Sequence, residues 1–257
     1  MRVNAGLAGT DMVERAGRRV VVSGAASGIG AAIAERFAAS GDHVAGLDRD
    51  AEGLGRAALA YAYPCDVSDE RQVRDAVDAA AAALGGIDVV VCCAGIVLRG
   101  SVPETDVADW DRVFAVNVRG VYLLARAAMP HLRAAGIGTI INVASQLGLV
   151  GAASSAAYCA SKGAVVQLTR AMALDHGGEG ITVNALCPGP TVTPMLDRYF
   201  SDSDDPDGEL RAFQAGMPIG RLLDPAEIAA AALYLASADA RGVTGCVLAI
   251  DGGYVAG

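Results

Sequence analysis

Chemistry in this chain is most concentrated in the pentapeptide Tyr158-Cys159-Ala160-Ser161-Lys162, with Ser145 a short distance upstream. Residues four apart share one face of a helix, so a phenol and an ammonium here can enter the same pocket. A nearby cation stabilises a phenolate and draws its pKa from about 10 toward neutrality, which makes an acid or base usable at ordinary pH. Tyrosine and lysine at this spacing are common on helix surfaces, and most such pairs are only contacts. Scarcity sets this pair apart: Lys162 is the single lysine of a chain with nineteen arginines. Arginine cannot hand over a proton, and its planar fork does not replace a compact ammonium. The exception therefore stands where a titratable amine would be of use.

A second cluster is the turn Ser23-Gly24-Ala25-Ala26-Ser27-Gly28-Ile29-Gly30, which follows the β-branched run Val20-Val21-Val22 and precedes a helical pattern. Glycines let the backbone approach a pyrophosphate, and the helix start beyond them offers unpaired N–H groups and a positive dipole end. The spacing is GxxxGxG. With 32 glycines in the chain such runs arise by chance, and placement between a strand and a helix is what gives this one weight. Eighteen residues past Gly30, the next strand ends in Asp48. A carboxylate there can accept from both hydroxyls of an adenosine ribose and repels a 2′-phosphate, which favours NAD over NADP. The adjacent Arg49 pulls the other way.

These groups need elements to hold them. Short β-branched runs predict strands over 18–23, 43–47, 61–65, 87–92, 139–144, 181–186 and 246–250, and helical periodicity covers 29–40, 70–84, 107–135, 156–176 and 225–236. Strands alternating with longer helices mean βαβ units, hence an α/β fold with a doubly wound parallel sheet of about seven strands and helices on both faces. No linker divides the 257 residues. The expected layout is a flexible leader over 1–17 and a single domain over 18–257, with a substrate-side insertion at about 190–223 whose acidic segment Ser201-Asp202-Ser203-Asp204-Asp205-Pro206-Asp207 reads as solvated surface. A hydrophobic content of 53% excludes a disordered chain, and 5% aromatic residues imply a core of alanine and aliphatic side chains. The formal charge of −9, with no basic stripe, speaks against nucleic acid and membrane surface as partners. Six cysteines without ligand spacing, and histidines scattered at His43, His131 and His176, point to a reducing, cytoplasmic setting and no metal site.

Taken in order, the motifs resemble those of the classical short-chain dehydrogenases/reductases over about residues 18–253. The matching stretches are the turn from Ser23 to Gly30, Asp66-Val67, Ala94-Gly95, Asn117, Ser145, Tyr158, Lys162, Pro188-Gly189 leading to Thr193, and Asp251-Gly252-Gly253. The resemblance implies a Rossmann-type domain, NAD as cofactor and a homotetramer. It implies that Tyr158 gives or takes the hydroxyl proton and that Ser145 hydrogen-bonds the substrate oxygen. Lys162 would bind the nicotinamide ribose and lower the tyrosine pKa, and Asn117 would hold a water linking that lysine to solvent. Ser23, Gly24, Ser27, Gly28, Ile29, Gly30, Asp48, Ala94, Gly95, Pro188 and Gly189 would line the dinucleotide, Asp66 and Val67 the adenine, and Thr191 and Thr193 the nicotinamide side. Substrate contacts would come from Ser145, Gln146, Leu147 and Tyr158, with Ala153, Ser154 and the stretch 195–200. The implied reaction is reversible hydride transfer between NAD and a secondary alcohol, a polyol, sugar or similar neutral compound, and its ketone. A 3-oxoacyl-carrier-protein reductase and a non-catalytic NAD-responsive regulator are the rival readings. In one place the chain departs from the pattern: Cys92-Cys93-Ala94-Gly95 stands where Asn-Asn-Ala-Gly is usual, removing an amide that ties neighbouring strands.

Overall fold

The computed structural model describes residues 17–57, 59–201 and 205–256, so the expected leader lies almost wholly outside the described residues. Seven strands, β1 (Arg19–Ser23), β2 (His43–Asp48), β3 (Tyr61–Pro64), β4 (Val89–Cys92), β5 (Gly138–Val143), β6 (Ile181–Pro188) and β7 (Val247–Ile250), form one sheet in the order β3-β2-β1-β4-β5-β6-β7. Every pairing is parallel. The order reverses at β1, which lies between β2 and β4 and places Ser23 opposite both Leu47 and Cys92. Beyond the carboxyl ends of strands at such a reversal a crevice opens for ligands.

The helices in chain order are α1 (Gly28–Ala39), α2 (Ala51–Arg56), α3 (Glu70–Leu84), α4 (Val107–Phe114), α5 (Gly120–Ala135), α6 (Ala156–His176), α7 (Pro194–Ser201), α8 (Pro206–Gly216) and α9 (Pro225–Leu235). Side chains alternate across a strand, and the valine runs serve two layers. Val20, Val22, Val89 and Val91 pack with Ile33 and Phe37 of α1 and Ile228 and Leu235 of α9. Val21 and Val90 face the other way, into Val73 and Val77 of α3, Leu124 and Leu132 of α5 and Val165 of α6. A sheet covered on both sides needs continuous apolar runs, which is why its strands read as β-branched blocks. Acidic caps start the helices: Asp69 accepts from the Gln72 N–H at 3.0 Å, and Asp224 and Glu227 cap α9 reciprocally beside Pro225. Such caps stabilise a helix by about 1 kcal/mol each.

Three features differ from the sequence reading. The short α2 follows β2, capped by Asp50, which accepts from the Gly53 N–H at 3.0 Å; six residues are too few to show a period. The single helix expected over 107–135 is two, because the backbone widens across Ala115–Arg119 and the Gly120 N–H donates to the Ala115 carbonyl, five residues back. The insertion holds α7 and α8, with proline opening each helix, a position where its missing N–H costs nothing. Asp205, from the acidic segment, caps α8 by accepting from the Gly208 N–H at 2.9 Å. Among the described residues no helix is long and apolar enough to cross a membrane.

Candidate active site

A cavity of about 740 Å³ runs along the carboxyl ends of the strands. Of the residues expected to hold a cofactor, bind substrate or do chemistry by motif, all but Ser23 and Asn117 line it. At one end lies the glycine turn. Gly24 has φ +73°, and a Cβ there would stand 2.9 Å from the Ala94 backbone, while a Cβ on Gly30 would stand 2.0 Å from the Gly24 carbonyl oxygen. Only glycine lets β1, the turn and the loop after β4 approach this closely.

Ser23 works behind the cavity wall. Its buried hydroxyl accepts from the Cys93 N–H at 3.1 Å and the Ala94 N–H at 3.2 Å, and lies 3.4 Å from the Val91 carbonyl. It ties β1 to the end of β4, so the connection that the missing asparagine put in doubt is present. Asp48 is half-buried and also serves the turn: its carboxylate accepts from the Ala26 N–H at 3.1 Å and the Asp50 N–H at 3.0 Å. Arg49 lines the same end. Asp66 accepts from both the backbone N–H and the hydroxyl of Ser68, at 2.8 and 2.7 Å. After β6, the Thr191 hydroxyl donates to the Gly189 carbonyl at 2.8 Å and that of Thr193 to the Thr191 carbonyl at 3.2 Å. A Cβ on Gly28 would stand 3.1 Å from the Thr193 methyl, so this loop closes against the glycine turn.

At the other end α6 delivers Tyr158 and Lys162 from successive turns. The Lys162 ammonium is buried, donates to the Val143 carbonyl at 3.0 Å and lies 5.7 Å from the centre of the Tyr158 ring. Ser145, just past β5, accepts from the Leu147 N–H at 3.1 Å, starting a tight turn, and hydrogen-bonds the Tyr158 side chain. Fully buried Asn117 spends its carboxamide on structure. Its Oδ1 accepts from the Ile96 N–H at 2.8 Å, and its Nδ2 donates to the Ile96 carbonyl at 2.9 Å and to the Ser161 hydroxyl at 3.0 Å. Ser161 in turn donates to the Tyr158 carbonyl at 2.8 Å. The widened turn thus fastens the loop after β4 to the helix that carries the reactive pair, a positioning task for Asn117 and Ser161 that motif spacing did not reveal.

The electrostatics correct one expectation. Burial pushes the Tyr158 phenol up to about 12, with the Ser145 hydrogen bond acting against it, and burial draws Lys162 down to about 8. Desolvation outweighs the lowering expected from the amine, because both groups sit at the closed end of the cavity where charged forms lose water. Burial likewise raises Cys93 to about 12, so it is a packing thiol and not a nucleophile.

On the substrate side Gln146, Leu147, Ala153, Met195, Leu196, Arg198 and Tyr199 line the cavity, whereas Ser154, Asp197 and Phe200 do not. Phe213 of α8 and Tyr254 near the end of the chain also line it. Neither was anticipated, though the aromatic residues clustered in the insertion at 199, 200 and 213 are the signal that points there.

A family model described as Enoyl-(Acyl carrier protein) reductase matches residues 24–255. The chain is 42% identical to 2-(R)-hydroxypropyl-CoM dehydrogenase of Xanthobacter autotrophicus (strain ATCC BAA-1158 / Py2), over 93% of this chain and 99% of that one. It is 40% identical to meso-2,3-butanediol dehydrogenase of Serratia marcescens, over 92% and 94%. In structure it is similar to 3-ketoacyl-(acyl-carrier-protein) reductase from Brucella melitensis complexed with NADH, with TM-score 0.86 and 36% identity over 93% of this chain and 98% of that one.

Proposed function

The chain belongs to the short-chain dehydrogenase/reductase family, and on that premise we propose that it interconverts a secondary alcohol and its ketone with NAD as the hydride partner. The observation that carries this reading is the meeting of Ser145, Tyr158 and Lys162 in one cavity with a glycine turn at its other end. That turn fits a dinucleotide: any side chain at Gly24 or Gly30 would collide with backbone, the α1 N-terminus offers free N–H groups to a pyrophosphate, and Asp48 stands where a ribose diol needs acceptors. When bound, the nicotinamide supplies the hydride acceptor or donor. Tyr158 exchanges the proton of the substrate oxygen, and Ser145 holds that oxygen in place. Lys162, anchored on the Val143 carbonyl, places a titratable cation beside the phenol. Leu147, Met195, Tyr199 and Phe213 exclude water from the reacting carbon.

We read the substrate as a small diol, polyol, sugar or similar neutral alcohol. The Serratia relative is named for a neutral diol, and the acidic residues that line the cavity, Asp48, Asp50 and Asp66, lie at the glycine-turn end. Exposed Val107, Trp110 and Tyr122 on α4 and α5 support assembly into a homotetramer, which light scattering would report. Six free cysteines support a cytoplasmic setting. The direct test is a panel of diols, polyols, sugars, steroids, hydroxy acids and acetoacetyl-CoA, with NAD or NADH, at mildly alkaline pH. NADH should form with a secondary alcohol. Preference for the acyl thioester would favour an acyl-carrier reductase, and tight NADH binding with no turnover across the panel would favour a regulator.

A further inference from the structure

The helices α7 and α8 cap the substrate end of the cavity, Met195 and Tyr199 entering from α7 and Phe213 from α8. Backbone holds the base of this cap: the Val192 N–H donates to the Leu223 carbonyl and the Leu223 N–H to the Pro190 carbonyl, each at 2.9 Å. The side away from that base is gripped by a side chain from another part of the fold. Arg99, in the loop between β4 and α4, pairs with Glu209 of α8 through two parallel hydrogen bonds of 2.7 and 2.8 Å. Its Nη1 also donates to the Tyr199 carbonyl at 3.2 Å, and its guanidinium lies 4.5 Å from the centre of the Tyr199 ring. Tyr199 meets Phe213 edge-on at 5.8 Å between ring centres, and Phe200 meets Phe213 at 5.4 Å.

The Arg99 loop is itself locked to the helix of the reactive pair. The Gly100 N–H donates to the Ser154 carbonyl at 2.8 Å, and the Ala156 N–H donates to the Gly100 carbonyl at 3.2 Å, two residues ahead of Tyr158. A continuous path therefore joins the start of α6, through Gly100 and Arg99, to the two cap residues that line the cavity. Both partners of the Arg99–Glu209 pair retain 29% exposure. A pair so placed adds little to global stability, but its forked geometry and ring stacking fix direction closely.

We propose that Arg99 is a positioning residue: acting through Tyr199 and Glu209, it sets the height of the α7–α8 cap above Tyr158 and so governs alcohol affinity and product release. The inference deepens the dehydrogenase reading of the cavity and rests on it.

The test uses the whole NADH-bound protein and the variants Arg99→Met, Arg99→Lys, Glu209→Gln and the charge swap Arg99→Glu with Glu209→Arg. Amide exchange over residues 194–216 should quicken roughly tenfold in Arg99→Met and Glu209→Gln, with exchange in the sheet unchanged. With the best alcohol of the panel, KM should rise roughly five- to tenfold while KM for NAD stays within about twofold and kcat holds or increases. Arg99→Lys should fall between parent and Arg99→Met, and the swap should recover most of the loss. Unchanged cap exchange, alcohol and NAD constants that rise together, or a swap no better than its single variants would each overturn the proposal. Cap exchange needs no substrate, so a silent alcohol panel counts against the dehydrogenase reading while the exchange result still decides the role of Arg99.

Discussion

Asp48→Ala should move coenzyme preference toward NADP by about two to three orders of magnitude, and the size follows from where the carboxylate sits. Hydrogen bonds to a charged acceptor are worth about 1.5–3 kcal/mol, so losing the ribose acceptor should weaken NADH by roughly 10- to 100-fold. The repulsion removed from a 2′-phosphate is about 4 kcal/mol per unit charge pair at 4 Å and an effective dielectric of 20, and about 1 kcal/mol in bulk water. Asp48 is half-buried on an open cavity, which places it between those limits, so NADPH should gain roughly 10- to 30-fold. The carboxylate also accepts from Ala26 and Asp50. Losing those bonds loosens the turn for both coenzymes alike, and that effect cancels in the ratio. Asp48→Asn keeps an acceptor for the turn while removing the charge, so it should show the NADPH gain with less general weakening. The assay is the dissociation constant of NADH and of NADPH, read from nicotinamide fluorescence with no substrate present. A parent protein that binds NADPH as tightly as NADH, or a ratio unmoved in both variants, would refute the reasoning and leave Arg49 in charge of selectivity.

Tyr158→Phe should lose at least about 100-fold in turnover with NADH affinity kept, in steady-state rates paired with fluorescence titration; a smaller loss would remove Tyr158 from proton transfer. Burial holds Lys162 at about 8 against 10.5, so the unfolded chain binds this proton more tightly, and the penalty present at neutral pH is relieved as pH rises from about 8 to about 10.5. Lys162→Met should therefore unfold at higher urea than the parent at pH 7, by up to about 3 kcal/mol, with the gap closing as the solution approaches pH 10. A gap independent of pH would contradict that. Ser23→Ala leaves the Cys93 and Ala94 N–H groups without their acceptor and should cost about 1–3 kcal/mol in urea unfolding, whereas Ser23→Thr should restore it. Equal midpoints for the alanine and threonine variants would show that the tie does not hold the strands.

Much of the fold was legible because local signals and tertiary packing agree. The helices α3 and α6 occupy the spans expected from apolar period and cap, and the seven strands fall within a few residues of their β-branched runs. What failed was non-local. The break between α4 and α5 carries no proline. The residue at its centre, Asn117, finds its partners at Ile96 and Ser161, far away in sequence. The cap helices were hidden because Pro194 and Pro206 read as breakers when each opens a helix, and because Asp205, lost in an acidic run, is a cap. For the site, spacing located the reactive pair and the dinucleotide cradle. The tasks of Ser23 and Arg99 were invisible, since each acts on atoms that only folding brings near. The direction of the Tyr158 shift was also illegible: it depends on how closed the cavity is, a property of surface shape and not of the order of residues.

The stretch from Ala115 to Arg119 holds one residue more than a regular helical path needs. Each residue advances a helix by about 100°, so this surplus acts as a shim that sets the phase of everything after it. Cutting out one residue there would leave length and composition almost untouched. It would nonetheless swing Leu124, Ala128 and Leu132, all buried against the sheet, by more than a quarter of a revolution. A segment flanked by ordinary helix is thus among the places least tolerant of a reading-frame-preserving deletion.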